Sequence, residues 1–422
     1  MGEQSCSKSK KLDSGLGFLL GFLCSSDIIY VFALGNSVIH ISVALSLLII
    51  FVRMLFDKAA IPRVDIGFCG KLFLFFVLFS FFPMLIYMCS SGYMYRYFFG
   101  LVELSGYILI LLATLLLGDY KKDIYIGLSF GFIANIIISL LAYRAFVPYA
   151  NNPVYLRIYS VFPQESVFIR SAIFRPAGLF KEPSYYIGYL IVLFFLFFPV
   201  LKNVYIKSIF VLFDILLIIF SGSGNIIVFI ISLLVYFMLT IKTHHNAITL
   251  VVRRSTFYIV CVFAIGILYY LFGMNGWQSV SSAVSWSFSG GSISNSIDRY
   301  NNIIRSIKLI PEIPLGTGYN MIYSYNQVYH PELGSLGSYS YGTSSFILKL
   351  ILEIGFLGAL AYVGFILNCS KKLLRYKYNL ENNIGLAVSL LSIFLLQSMN
   401  GIAYKPYFMV AFGLALYELR KV

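Results

Sequence analysis

The stretch RPAGLFKEPSYYIGYLIVLFFLF, residues 175–197, decides the fold because a charged turn runs directly into an apolar segment. Its first part places Arg175, Lys181 and Glu182 beside prolines and tyrosines, and its second part carries no charge. Pro183 suits the first turn of a helix. We therefore expect Glu182 at the N-terminus of a helix that begins at a membrane surface.

The whole chain has the composition of a membrane protein. Of its 422 residues, 59% are hydrophobic and 11% are charged, whereas a soluble domain carries about 25% charged residues. The six cysteines are scattered and form no C-x-x-C pair, which predicts neither a disulfide framework nor a zinc site. The sequence predicts an all-α polytopic membrane protein, a single integral domain over residues 1–422, with no metal and no cofactor.

The apolar runs set the number of spans. A helix that crosses a membrane needs about 20 apolar residues. The sequence predicts about twelve transmembrane helices, near 15–34, 36–56, 68–89, 97–117, 124–142, 184–201, 205–221, 224–241, 255–273, 344–367, 382–399 and 404–419.

Lysine and arginine predict the orientation, because they concentrate in cytoplasmic turns. With the N-terminus cytoplasmic, every inner turn carries a basic cluster, at 8–11, 53–71, 121–122, 202–207, 242–254, 371–377 and 420–421. Both termini are then cytoplasmic. The net charge of +14 lies in these short clusters between apolar runs, so we expect no nucleic-acid partner.

Two outer loops are long, residues 143–183 and 274–343. The first carries five basic residues against two acidic ones, on the side that usually avoids positive charge. An anionic partner would compensate this excess; the alternative is an excess that a long loop tolerates. In the second loop, apolar residues recur at helical spacing and predict an amphipathic helix near 296–310, lying on the membrane face.

The first loop supplies one group of candidate site residues. The planar guanidinium of arginine binds phosphate in a bidentate manner. Arg170, Arg175 and Lys181 are therefore expected to hold a diphosphate, with Glu182 as general base or as the group that orients an acceptor hydroxyl. The structural alternative is that Glu182 pairs with an arginine and fixes the loop.

The second loop supplies further candidates. Arg299 and Arg305 lie six residues apart and do not share a helix face, so they would bind different parts of a substrate. The structural alternative for each is a surface salt bridge. His330 is the histidine of the long outer loops and could transfer a proton near neutral pH, although an isolated loop histidine is more often simply solvated.

Ionisable residues inside the predicted spans are functional candidates by default. Lys349 and Glu353 are four residues apart on one helix and can pair with each other. Asp27, Glu103 and Asp214 have no partner that the sequence assigns. Because of these three acids, a proton-coupled transporter remains an alternative function.

Three segments carry a resemblance to a known family: RPAGLFKEPSYY (175–186), SGSGNIIVFIISLL (221–234), and PLGTGYN (314–320) followed by TSSFILKLILEIGFLG (343–358). Together they resemble the O-antigen polymerase (Wzy) family, within the O-antigen polymerase/ligase superfamily. The resemblance implies a metal-independent, GT-C-like glycosyltransferase of the bacterial inner membrane, with both long loops periplasmic.

The resemblance also implies a substrate, an oligosaccharide repeat unit on undecaprenyl diphosphate, with membrane lipid and a polysaccharide chain-length regulator as further partners. The polymerase would join repeat units at the periplasmic face and release undecaprenyl diphosphate. Ligases of the superfamily usually carry a histidine at the start of the closing helix, where this chain has residues 343–345, TSS. The alternatives are an O-antigen ligase, a lipid-linked oligosaccharide flippase and an ion-coupled transporter.

Overall fold

The computed structural model describes residues 2–34, 37–56, 63–88, 92–144, 157, 177–180, 182–220, 225–243, 293–336, 343, 345–376, 380–399 and 404–421. Within them the chain is mostly helical, with one two-stranded antiparallel hairpin. The helices are α1 (Gly2–Leu23), α2 (Ile41–Phe56), α3 (Arg63–Met88), α4 (Met94–Leu116), α5 (Lys121–Arg144), α6 (Pro183–Phe197), α7 (Val204–Phe220), α8 (Ile226–Thr243), α9 (Ile293–Leu309), α10 (Ile322–Tyr329), α11 (Phe346–Arg375), α12 (Leu380–Met399) and α13 (Pro406–Arg420). The strands are β1 (Tyr30–Leu34) and β2 (Ser37–His40).

Five helical segments of the described residues are long and apolar enough to cross a membrane: Gly67–Met88, Met94–Leu116, Gly118–Ala142, Phe346–Arg375 and Leu380–Met399. Shorter apolar helices cover Ile41–Leu55, Pro183–Phe197 and Ile227–Thr240. The protein is therefore a mostly helical membrane protein. The predicted span at 255–273 lies outside the described residues, and the predicted amphipathic helix near 296–310 falls on α9.

The first two predicted spans, 15–34 and 36–56, are wrong in their boundaries. The helix ends at Leu23 and resumes at Ile41, and the hairpin β1–β2 occupies the segment between. Two causes act together. The polar run Ser25–Asp27 follows the helix, and the aromatic and β-branched residues after it favour a strand.

Glycines allow α1 and α5 to pack backbone to backbone. A Cβ on Gly21 would lie 2.2 Å from the carbonyl oxygen of Ile124, and one on Gly127 would lie 2.0 Å from that of Phe18. Any larger residue would push the two helices apart. Residues further along α1 contact residues further along α5, so the two helices run parallel. Successive spans cross a membrane in alternating directions, so the first and the fifth are expected to be parallel.

Ion pairs join neighbouring helices at one edge of the bundle. Arg53 at the end of α2 lies 3.1 Å from Asp13 of α1. Lys121 at the start of α5 donates to the buried carboxylate of Glu418 near the end of α13. This is the edge that the basic clusters predict to be cytoplasmic.

Helix α6 forms the centre of the bundle. Every residue from Tyr186 to Phe197 is buried, and a helix that is apolar on all sides is one that other elements surround. It packs chiefly against α12, where the carbonyl oxygen of Phe195 approaches Gly385 so closely that a Cβ there would lie 2.4 Å away. The segment that decides the fold therefore leads into its core.

A glycine kink in α11 receives the loop 314–320. Gly355 interrupts the helix with φ +75° and ψ 169°, which frees carbonyl groups of the preceding turn. The backbone N–H of Thr317 donates to Leu352 O at 2.8 Å, and that of Gly318 donates to Glu353 O at 2.9 Å. The two glycine-rich segments that the sequence singles out thus bind each other.

We expect Gly355→Ala to lower the thermal stability of the purified protein. A Cβ at this positive φ would lie 2.9 Å from Leu315 O, and strain of this kind costs about 1–3 kcal/mol. Gly364→Ala is the matched control, since it lies in the same helix with nothing within 4 Å of the new Cβ, and alanine favours a helix. Equal unfolding temperatures for the two variants would contradict the interlock of loop and kink.

Candidate functional site

The segment Ala177–Phe180 is bound to α5 and to the residues that follow α1. The backbone N–H of Leu179 donates to Asn135 Oδ1 at 2.6 Å. Its carbonyl oxygen accepts from Ser26 Oγ at 3.1 Å and from the backbone N–H of Asp27 at 3.1 Å. Both backbone polar groups of Leu179 are satisfied, so this part of the first outer loop has a defined position.

Asn135 is the central contact of this docking. Its Nδ2 donates to the carbonyl oxygens of Ser25 at 2.9 Å and Gly131 at 2.8 Å, while its Oδ1 holds the loop. Gly178 has φ +52°, and a Cβ there would lie 2.2 Å from Asn135 Oδ1. Glycine is therefore required at this point of the motif, for its backbone angle and for the close approach.

An aromatic cluster packs around Phe180 of the first outer loop. Phe180 is fully buried, and its ring centroid lies 5.1 Å from that of Tyr189, 5.7 Å from Tyr186 and 5.9 Å from Tyr407. These rings come from the loop, α6 and α13. Phe180 is therefore anchored among these rings, close to the start of α6.

Glu182 occupies the N-cap position of the central helix, without a side-chain capping hydrogen bond. Its carbonyl oxygen accepts from the backbone N–H groups of Tyr185 and Tyr186, and its Oε2 accepts from Ser184 Oγ at 2.9 Å. Within the described part of the chain Glu182 forms no ion pair. Asn225 donates to Ser184 O at 3.2 Å, so the residue that follows the SGSG segment also contacts this helix start.

A buried ion pair lies beside Glu182. Lys405 Nζ is 2.9 Å from Asp27 Oδ2, with the Asp27 side chain 0% exposed and that of Lys405 12% exposed. The same ammonium lies 3.7 Å from the ring centroid of Tyr185, whose carbonyl oxygen accepts from Tyr407 Oη at 3.1 Å. The site therefore contains an acid–base pair largely shielded from water and in contact with Tyr185 of the motif.

The sequence-predicted site residues are only partly within the described structure. Arg170, Arg175 and Lys181 lie outside the described residues, and the side chain of Arg299 does as well, although its backbone is in α9. Arg305 lies in α9 and is half-buried. Glu182 is thus the member of the first-loop group whose surroundings are defined.

His330 lies between two carboxylates. Its Nδ1 is 3.3 Å from Glu332 Oε1 and its Nε2 is 3.5 Å from Glu312 Oε2. The ring also packs against Tyr325, with centroids 6.0 Å apart. The histidine is therefore oriented by acidic neighbours rather than isolated in solvent.

The acids of the predicted spans have different surroundings. Asp27 pairs with Lys405, and Glu353 lies 3.7 Å from Lys349. Tyr107 donates to Glu103 at 3.4 Å. Asp214 is fully buried, and neither carboxylate oxygen has a hydrogen-bond partner in the described structure. The pairing of Asp27 gives it a structural role, and the transporter alternative then rests on Glu103 and Asp214.

Sequence reasoning missed Lys405 and Asn135. Lys405 could have been found from the sequence, because it is a lysine next to a predicted outer turn, where lysine is depleted. Asn135 offered the weaker signal of an amide within an apolar span. In the described part of the chain no group of three or more His, Cys, Asp or Glu is placed to hold a metal ion.

The start of the closing helix carries capping groups. Ser345 Oγ accepts from the backbone N–H of Leu348 at 3.4 Å, and Thr343 Oγ1 donates to Ser345 O at 3.2 Å. Serine at an N-cap satisfies a backbone donor that the helix leaves free. These residues stand where the resemblance places the histidine of ligases.

Comparison with known proteins adds a family match to this geometry. Residues 208–363 match the Wzy_C family model, described as O-antigen ligase. The match confirms the resemblance to the O-antigen polymerase/ligase superfamily. The matched region runs from α7 into α11 and contains the loop–kink interlock, Arg305 and His330, while the docked motif 175–186 lies before it. No curated protein matches the chain.

We expect Asn135→Ala to release the first-loop motif. The variant removes the acceptor of Leu179 N and both donated bonds to the backbone, so trypsin should cleave after Lys181 faster than in the wild type. Ser129→Ala is the matched control, because this serine of α5 bonds only to the carbonyl of the preceding turn. Unchanged cleavage in Asn135→Ala would contradict the docking.

Proposed function

We propose that the protein is an O-antigen polymerase. It joins oligosaccharide repeat units carried on undecaprenyl diphosphate at the periplasmic face of the inner membrane and releases undecaprenyl diphosphate. The observation that carries the proposal is the docking of Ala177–Phe180 beside the Asp27–Lys405 pair, with Glu182 at the N-terminal end of the central helix. The Wzy_C match supports the same class of chemistry.

The reaction needs positive charge at the leaving group. An acceptor hydroxyl attacks the anomeric carbon of the donor, a new glycosidic C–O bond forms, and the bond from that carbon to the diphosphate oxygen breaks. The electron pair leaves with the diphosphate, where cations stabilise the developing charge. Arg170, Arg175, Lys181, Arg299 and Arg305 are the proposed diphosphate contacts.

The proton of the acceptor hydroxyl needs a base. Glu182 is the first candidate, because Ser184 holds its Oε2 and no described residue bonds to its Oε1. A carboxylate in that position can accept a proton or align the hydroxyl for attack. His330 is the second candidate for proton transfer, with its ring oriented by Glu312 and Glu332.

The proposal includes the surroundings of the enzyme. Both termini are cytoplasmic, membrane lipid surrounds the helices, and a polysaccharide chain-length regulator acts with the polymerase. No nucleic acid, metal or cofactor takes part. Five apolar helices among the described residues support the membrane location.

An O-antigen ligase is the second candidate, favoured by the description of the matched family. The capping of α11 by Ser345, at the position of the ligase histidine, argues for the polymerase. The lipopolysaccharide of a deletion strain separates the two. Loss of the polymerase leaves single repeat units on lipid A core, whereas loss of a ligase leaves polymer that is not attached to it.

We expect Arg175→Ala and Glu182→Gln each to abolish the polymer ladder and to leave lipopolysaccharide with one repeat unit. The first removes a cation from the leaving group, and the second keeps the shape of the side chain while removing the proton acceptor. General base catalysis contributes about 10²–10⁴-fold to a rate. Gel analysis of lipopolysaccharide provides the measurement.

The control for both variants is their amount in the membrane, together with Ser184→Ala, which removes the hydrogen bond to Glu182 and keeps its charge. Ser184→Ala should retain a shortened ladder. If Arg175→Ala and Glu182→Gln are present in the membrane at normal amounts and still give full-length ladders, the site assignment is wrong.

A further inference from the structure

Arg96 lies in the first turn of α4 and is held by residues of the second outer loop. Its guanidinium carbon is 5.2 Å from the ring centroid of Tyr93 and 5.2 Å from that of Tyr323. Nη1 donates to the buried Ser324 Oγ at 3.1 Å. Tyr323 and Ser324 belong to α10, so a segment far along the chain closes against this arginine.

Three other half-buried cations of the described structure have carboxylate partners, and Arg96 differs from them. Arg53 pairs with Asp13, Lys121 with Glu418 and Lys405 with Asp27. Arg96 forms no ion pair with any described carboxylate. A cation that loses hydration without gaining an opposite charge is costly, which indicates a position for an anion.

The hydrogen bonds of Arg96 also leave donors available. A guanidinium has five N–H groups. Nη1 bonds to Ser324, and Nε donates to Tyr95 Oη at the long distance of 3.4 Å. Nη2 has no hydrogen-bond partner in the described part of the chain. The free edge of the guanidinium matches the paired oxygens of a phosphate.

The helix geometry directs Arg96 away from the lipid-exposed face of α4. The strongly exposed residues of this end follow another direction around the helix: Tyr95 (47%), Phe98 (52%) and Val102 (42%). Arg96 instead shares a face with Gly100 and Glu103, at helical spacing. A Cβ on Gly100 would lie 2.6 Å from Asn320 Cβ, so this face is the one on which the second outer loop rests.

The same face continues as a polar strip beneath Arg96. Asn320 Nδ2 donates to Arg96 O at 3.4 Å, and its neighbour Tyr319 lies near Glu103. Burial, followed by the carboxylates of Glu103 and Glu353, raises the pKa of Tyr319 well above its ordinary value. Its hydroxyl, like that of an ordinary tyrosine, is protonated at physiological pH and can act as a donor.

We propose that Arg96, with the rings of Tyr93 and Tyr323, binds the phosphate groups of the lipid-linked oligosaccharide. The guanidinium takes the phosphate oxygens, and the tyrosine rings hold the guanidinium in place through cation–π contacts. The inference rests on the proposed function for the identity of the lipid, and adds a contact outside both long-loop arginine groups. The alternative source of the same chemistry is the phosphate of a bulk phospholipid, which the orientation of Arg96 disfavours.

Binding of undecaprenyl diphosphate to the full-length protein in detergent tests the proposal. Arg96→Ala should weaken the affinity about 10–100-fold, since charged hydrogen bonds are lost. Arg96→Lys keeps the positive charge but loses the paired N–H donors of the guanidinium. Its affinity should fall between those of the wild type and Arg96→Ala. Arg375→Ala, an exposed arginine at the opposite end of α11, should bind like the wild type.

Ser324→Ala separates ligand binding from a structural role. The variant removes the hydrogen bond that joins Arg96 to α10 and keeps the arginine. If Arg96 binds the ligand, the affinity of Ser324→Ala for undecaprenyl diphosphate should be close to that of the wild type. If Ser324→Ala and Arg96→Lys lost affinity equally and their unfolding temperatures fell equally, the proposal would be overturned. Arg96 would then serve to join α4 to α10.

Further outcomes separate this proposal from the proposed function. Wild-type affinity in folded Arg96→Ala overturns the Arg96 site and leaves the polymerase proposal in place. A wild-type protein that does not bind undecaprenyl diphosphate overturns both. Equal competition by phosphatidylglycerol assigns the site to bulk lipid, whereas competition by inorganic pyrophosphate, without phosphatidylglycerol, supports the substrate phosphate.

Discussion

The buried ion pair between Asp27 and Lys405 is the contact on which the outer end of the bundle depends. It joins the segment after α1 to the start of α13, across almost the full length of the chain. The backbone N–H of Asp27 also bonds to Leu179 O. One carboxylate-bearing residue thus positions both the last helix and the first outer loop, and removal of either charge would leave the other buried without compensation.

A second constraint acts on the other outer segment. The loop 314–320 bonds to the carbonyl groups that the kink at Gly355 exposes in α11, while α10 rests on Arg96. Segments of both long loops are thereby fixed at the same end of the helices. Such an arrangement suits a reaction in which one site must hold a diphosphate, a donor sugar and an acceptor hydroxyl together.

Local signals in the sequence predicted the features that depend on neighbouring residues. Pro183 indicated the start of α6, and the recurring isoleucines indicated a helix where α9 lies. The hairpin after Leu23 was not predicted, because a short apolar run rich in β-branched residues fits a helix or a strand equally well. Asn135, Lys405 and Arg96 could not be assigned, since the partners that decide their roles, Leu179, Asp27 and Ser324, lie 44 to 378 residues away along the chain.

A double-mutant cycle on Asp27→Asn and Lys405→Met tests the central claim most directly. Thermal unfolding of both single variants and the double variant would be measured in one detergent. Each single variant should lose about 3–5 kcal/mol, because it leaves one buried charge unpaired. The double variant should lose clearly less than the sum of the two. Strictly additive losses, or single variants as stable as the wild type, would contradict the account.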